Sequence, residues 1–339
     1  MAQAAAAPDP MNLVFPDSIV RHDGQPAHGR YAGRIARFDW SGLTEHRSWL
    51  WRRLHHKRWH YVGLGDERVF IGLAIVDVGW TCTAFAYLFD RQRRHLLADW
   101  SQDGLPGLQA RVSDAPLAQA HAWFRGPGAR LDLRHLADDS LLLQVRTRPL
   151  RIEARLDLAA MAPPLLAIGA IAGGIAHATQ KTSALAVRGW AEAEGRRFEL
   201  DEAWAAVDAS NGLLARDTAW RWASAHRPDL GFNLQQGYFG GQENVLWLDG
   251  RPISLGPAHF DFDAAQPMKP WHVRTEDGLL DLVFTPEGAR AENRNLGFAA
   301  SRYVQPVGSF AGTVRAASGA PLREVRDLLG VTEDHHSRW

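Results

Sequence analysis

A single cysteine, Cys82, stands in a chain of 339 residues. That scarcity excludes an intramolecular disulfide framework and cysteine-cluster metal sites, and it suits a reducing cytoplasm. Cys82 lies in the apolar run 81–89, where a buried thiol packs and stays inert; a nucleophilic role would need an accessible, electropositive setting. Excess charge of either sign is missing as well. Lys plus Arg and Asp plus Glu number 38 each, so no global field draws nucleic acid or an anionic membrane, and nucleic acid is disfavoured as a partner. Residues 1–10 lack a positive n-region followed by an apolar h-region, so 1–16 reads as a frayed leader, not an export signal. No transmembrane segment is expected. The nearly uncharged stretch 161–176 is short and is broken by Pro163, Pro164, Gly169, Gly173 and Gly174, which makes it a buried connector. Phosphate-cradling glycine loops and a Gly-x-Ser-x-Gly elbow are absent, which weighs against nucleotide-driven and serine-hydrolase chemistry.

What remains is an ordinary globular composition, 46% hydrophobic and 22% charged, in a chain long enough for about two cores. Short apolar runs separated by turn signals predict strands at 59–63, 69–78, 83–89, 121–125, 130–136, 141–146 and 151–158. After the connector the rhythm restarts at 184–190, 197–200, 218–225, 232–234, 245–248, 252–255, 272–275 and 279–284. Asp249-Gly250 and Asp277-Gly278 supply the positive φ that tight hairpins need. No βαβ alternation occurs, so the sheets are antiparallel meanders that close into barrels or pack as sandwiches. Helical spacing is confined to 42–57 and 322–329.

Four constellations bear on chemistry. His259, Asp261 and Asp263 share one face of a strand and Phe260 and Phe262 the other, a pattern that fits a divalent-metal site or a half-exposed strand with polar groups in water. The strand reading is preferred, so no metal is expected. The terminus Thr332-Glu333-Asp334-His335-His336-Ser337-Arg338-Trp339 is rich in titratable groups, and docking of Trp339 would draw Asp334 and His335 toward the body. His177, Thr179 and Lys181 precede Asp208, Asn211 and Arg216. On the 216–224 strand, Arg216, Trp220 and Trp222 share a face, an aromatic wall with polar ends suited to an apolar ligand; core packing explains the same tryptophans. Glu243 and Asn244 sit at a strand entrance. The basic aromatic stretch 46–59 reads as an amphipathic surface helix ahead of a membrane-contacting one.

Several of these runs resemble an uncharacterised bacterial family, domain of unknown function 2804. They are Lys57-Arg58-Trp59-His60-Tyr61-Val62-Gly63, Ala74-Ile75-Val76-Asp77-Val78-Gly79-Trp80 and Phe85-Ala86-Tyr87-Leu88-Phe89-Asp90. Joining them are His177 with Thr179 and Lys181, Arg216 to Ser224, Gly231-Phe232-Asn233-Leu234, Glu243 to Gly250 and the 332–339 tail. The resemblance covers about 17–339 and names no reaction. More distantly, the Trp220-x-Trp222 strand and the Trp247-Leu248-Asp249-Gly250 hairpin are similar to carotenoid hydratases and their relatives. That similarity implies two lipocalin-like barrels and an apolar substrate. The relatives' Asp-His-Glu run is replaced here by Asp208-Ala209-Ser210-Asn211.

The reading is therefore mainly β: two lipocalin-like antiparallel barrel or sandwich domains with few short helices, spanning 1–160 and 183–339 around a 161–182 connector, the second ending in a short helix and tail. The expected partner is a hydrophobic small molecule. Asp77, Arg216, Trp220, Trp222, Asn233, Asn244, Asp334 and His335 are expected to bind it. His177, Asp208 and Glu243 are the candidate catalytic groups for a cofactor-free lyase or isomerase, the alternative to simple binding. Peripheral membrane contact is the less favoured association.

Overall fold

The computed structural model describes Met11, residues 14–295 and residues 300–339. The frayed leader expected over 1–16 lies mostly outside the described residues. Among the described residues there is one α-helix, Trp49–His55, and no helix is long and apolar enough to cross a membrane. Everything else of note is antiparallel strand in two sheets.

The first sheet has 15 strands and forms a nearly closed barrel. Its main path runs His95–Gly104, Cys82–Asp90, Val69–Asp77, His56–Gly65, Trp204–Leu213, Leu185–Ala193, Leu150–Asp157, Ser140–Arg146, Ala129–His135, His121–Gly126 and Ala110–Val112. Ala176–Lys181 adds to Trp204–Leu213, and Leu165–Ala170 and then Gly29–Ala32 add beyond it. The second sheet is a nine-stranded half-barrel centred on Asp217–Arg227, Arg323–Arg338 and Ala300–Val314. The lipocalin-like pair expected from the sequence is thus present.

Alternation along the strands builds two kinds of core. In the first sheet Val62, Leu64, Ile71, Leu73, Ala84, Ala86 and Leu88 point into the barrel. The residues between them, Tyr61, Phe70, Phe85, Tyr87 and Phe89, point outward and pack on Trp222, Val307 and Val331 of the second sheet. Both faces of Val69–Asp77 are buried, which is why it reads as a continuous apolar run. Gly72 leaves room for a ring: a Cβ there would lie 2.4 Å from Tyr87. The second sheet has its own core on its concave face around Phe232, Trp271, Phe284 and Phe310. At the Asp249-Gly250 hairpin both residues have positive φ, 50° and 76°, as a two-residue turn of type I′ requires.

Three expectations need correction. The 161–182 connector contains Leu165–Ala170 and Ala176–Lys181, both strands of the first sheet, and the change of sheet falls at 214–216. Residues 322–329 are not helical: Arg323–Arg338 is one long strand, so the terminus is a central element of the second sheet and not a tail. The helix expected at 42–57 shrinks to Trp49–His55, because Lys57 already belongs to the strand His56–Gly65.

Candidate functional site

The outward face of the first sheet carries a cross-strand row. Ala74 pairs with Tyr61, Tyr61 with Asp208, and Asp208 with Lys181. One step along lie Val76, Trp59, Ser210 and Thr179, and one further His177 lies opposite Gly212. The second sheet answers with its own rows: Gln235, Trp222 and Glu333, then Gly237, Trp220, His335 and Tyr303. Because side chains two apart on a strand share a face, each row projects into the space between the sheets.

That space holds a cavity of ≈ 130 Å³ walled by Trp59, Tyr61, Ala74, Val76, Phe85, Trp220, Trp222, Tyr238, Tyr303 and Trp339. Lys181, Asp208, Glu243, Gln235, Gln305, Glu333 and His335 supply its polar groups. A smaller annex of ≈ 40 Å³ shares Tyr61, Lys181, Asp208 and Trp222 and adds Ser224, His226 and Asn233.

Lys181 organises one end. Its Nζ lies 2.5 Å from Asp208 Oδ2 and 2.8 Å from Glu243 Oε2, and Asp208 Oδ1 also accepts from Ser210 Oγ at 2.8 Å. Burial works against the Lys181 ammonium, but the two carboxylates outweigh it and hold its pKa above the ordinary value. For Glu243 burial dominates. Desolvation, helped by Asp208 and opposed by Lys181, raises its carboxyl above the usual range. Glu243 thus holds its proton more tightly than a carboxyl in water does.

Glu243 is positioned by amides. Trp222 Nε1 donates to Asn233 Oδ1 at 2.8 Å, and Asn233 Nδ2 donates to the Glu243 carbonyl at 2.9 Å. Asn244 Oδ1 accepts from the Gln235 backbone N–H, while its Nδ2 donates to the Gly256 carbonyl. The Gln235 side chain, 1% exposed, lines the cavity with neither amide atom hydrogen-bonded among the described residues. At the other end Glu333 accepts from Trp220 Nε1 at 2.9 Å and from Gln305 Nε2 at 2.6 Å, with His335 Nδ1 3.2 Å away.

Of the sequence-predicted residues, Asp208, Glu243, Trp220, Trp222 and His335 line the cavity, Asn233 lines the annex, and Asn244 braces the Glu243 loop. His177 stands behind the wall, fully buried, stacked on Trp59 at 5.4 Å and edge-on to Phe239 at 4.7 Å. Burial and the Lys181 charge push its pKa down to about 3, so it is neutral. Three residues lie elsewhere. Asp77 bonds Arg58 at 2.6 Å and the Gly79 N–H, in a network with Asp114 and Asn211. Arg216 is exposed, in the link 214–216 that joins one sheet to the other. Asp334 faces away from the cavity toward Arg221 and Arg302, at 3.6 and 3.7 Å. Lys181, Gln235, Tyr238, Tyr303, Gln305 and Glu333 were not among the expected site residues; alternation from Trp222 and His335 would have found Glu333. His259, Asp261 and Asp263 take separate partners, Glu276, Arg274 and Lys269.

The fold and cavity define a two-sheet, lipocalin-like β protein with an aromatic, acid-lined chamber between its sheets. The chain belongs to the family described as Domain of unknown function (DUF2804), whose pattern matches residues 11–339. No curated protein matches it in sequence. Among solved structures it is similar to kievitone hydratase from Nectria haematococca (TM-score 0.52, 8% identity, 84% of this chain and 88% of that one). It is also similar to CghA solved with Sch210972 (TM-score 0.55, 9% identity, 95% and 97% covered). At such identities the likeness establishes the fold alone.

Proposed function

We propose that the inter-sheet cavity binds the reactive end of an apolar small molecule and that Glu243 transfers a proton to it, in a cofactor-free isomerase or lyase reaction of hydratase or cyclase type. The observation that carries this reading is the buried Glu243 carboxyl, raised above its ordinary pKa, facing an aromatic chamber beside Lys181 and Asp208. A passive carrier has no use for a poorly solvated carboxyl, whereas a general acid gains from one whose pKa is raised. Gln235, with both amide atoms uncommitted, supplies the anchor for a polar handle. A volume of ≈ 130 Å³ accommodates about one six-membered ring, since an apolar cavity of roughly 150 Å³ takes up benzene. Asp208, bonded to Lys181 Nζ, is the group placed to accept the proton that leaves in an isomerisation. Kievitone hydratase, which shares the fold, is named for a reaction of the same class.

The test is deuterium incorporation. Ring-sized cyclic alkenes and enones are incubated with the protein in heavy water and read by mass spectrometry. The wild type should incorporate deuterium or add water, and Glu243→Gln should bind the same probe without turnover. Binding without incorporation in the wild type assigns the protein a carrier role instead.

A further inference from the structure

The one α-helix among the described residues, Trp49–His55, buries none of its side chains. Trp49, Leu50 and Leu54 are 75%, 58% and 44% exposed. At about 100° per residue, Trp49, Arg53, Leu50 and Leu54 fall within one arc of roughly 140°, and this arc is the solvent face. The opposite side fastens the helix down. Trp51 packs on the Ile19, Phe38 and Leu213 cluster and stacks on His55 at 4.0 Å, and His55 Nδ1 reaches the Leu214 carbonyl at 2.6 Å. Ser48 caps the start through the Trp51 N–H, and Lys57 Nζ ties the Leu54 carbonyl to that of Val78, at 2.6 and 2.7 Å. Gly79, at φ 90°, makes room for the helix end: a Cβ there would lie 1.8 Å from the Arg53 carbonyl. A helix this short has no stability of its own. The fold therefore spends several contacts to hold three large apolar side chains out in water.

We propose that this face docks on an anionic phospholipid bilayer, with Trp49, Leu50 and Leu54 entering the interface and Arg53 at the headgroups. The charge fits that surface. Arg53 forms no ion pair among the described residues, Arg52 is committed only to the Glu45 carbonyl, and the one carboxylate in the segment, Glu45, is neutralised by Arg47 at 2.7 Å. An aromatic-aliphatic face interleaved with arginine is the composition of interfacial helices. The position fits as well. The Lys57 ammonium that holds the helix end lies 5.7 Å over the ring of Trp339, which walls the cavity. An apolar molecule drawn from a bilayer would meet the protein beside its chamber. Docking itself does not depend on the proton chemistry proposed above.

The experiment is co-sedimentation of the full chain with vesicles of phosphatidylcholine alone or mixed with phosphatidylglycerol. Two variants are compared with the wild type: Trp49→Ser/Leu50→Gln/Leu54→Gln, and Arg53→Glu. Leu108→Gln, an exposed apolar residue elsewhere, is the control. The expected result is wild-type binding that favours the anionic vesicles and weakens with salt, a loss of at least about tenfold in the triple variant, a smaller loss in Arg53→Glu, and no change in the control. Melting temperatures should stay near wild type, because the replaced side chains are solvent-facing. No wild-type sedimentation, or equal sedimentation of the triple variant, overturns the proposal. So does a wild-type dimer in sedimentation velocity that the triple variant dissociates without any vesicle binding, since the face would then belong to a second copy.

Discussion

Replacing Lys181 with methionine removes the ammonium that buried Glu243 and half-buried Asp208 share while keeping most of its stem. The side chains of Lys181 and Glu243 are 5% and 6% exposed, so water cannot take over the lost role. Removing one partner of a buried ion pair costs about 3–5 kcal/mol. At roughly 2–4 °C per kcal/mol for large domains, the melting temperature should fall by about 6–20 °C. The loss must depend on pH. Glu243 already has a folded-state pKa above the unfolded value, chiefly through burial, and without Lys181 it rises further. Between the unfolded and folded values the native state binds a proton that the unfolded state does not, so stability grows as pH falls through that window. The deficit relative to wild type should therefore grow as pH rises and shrink as it falls, over a series from acid to alkaline pH. Adding Glu243→Gln to Lys181→Met should recover part of it at the alkaline end. Differential scanning fluorimetry across that range reads all three quantities. A shift under about 2 °C at every pH would refute the reasoning, because Lys181 would then be solvated or dispensable.

His177 gives a prediction of opposite sign. Its folded pKa is pushed to about 3 from 6.5, so the native state excludes a proton and stability is lost as pH falls below 6.5; His177→Phe should flatten the melting curve against pH by about one proton's worth. His60 and His226, pushed to about 4 and about 3 by burial, should leave a residual slope. Deleting residues 330–339 should abolish soluble expression, because Arg323–Arg338 is hydrogen-bonded on both sides, to Asp217–Arg227 and Ala300–Val314. Removing Trp339 alone costs its bond to Thr218 and its place in the cavity wall, and should lower the melting temperature by only a few degrees while weakening ligand binding.

Local signals were legible in the sequence. Asp249-Gly250 marks its hairpin because the turn chemistry is written in two residues, and Val69–Asp77 reads as a strand through its apolar character. The failures have physical causes too. Val325 and Leu328 lie three apart yet share the second core, because Asp327 adopts φ 50° beside a register shift in the sheet. A bulge displaces alternation by one residue, and the resulting spacing imitates a helix. Read as helix and tail, that strand hides Glu333 and groups Asp334 with His335, although neighbours on a strand face opposite ways. The same phase rule separates Asp77 from Ala74 and Val76. The segment 161–182 was obscured because His177, Thr179 and Lys181 are polar residues on a strand whose every residue is buried; their partners, Asp208 and Glu243, come from other elements. Pairing across such distances is invisible to patterns a few residues long.

The most direct test of the account is a crystal of the protein soaked with 4-bromophenol, a ring-sized apolar probe with one polar handle, located by the anomalous signal of its bromine. The account predicts one site between the sheets, with the ring against Trp220 and Trp222 and the hydroxyl within hydrogen-bond reach of Glu243 or Gln235, and it predicts that Ala74→Phe, which fills the chamber, abolishes that site. An empty inter-sheet cavity, or occupancy unchanged in Ala74→Phe, would contradict it.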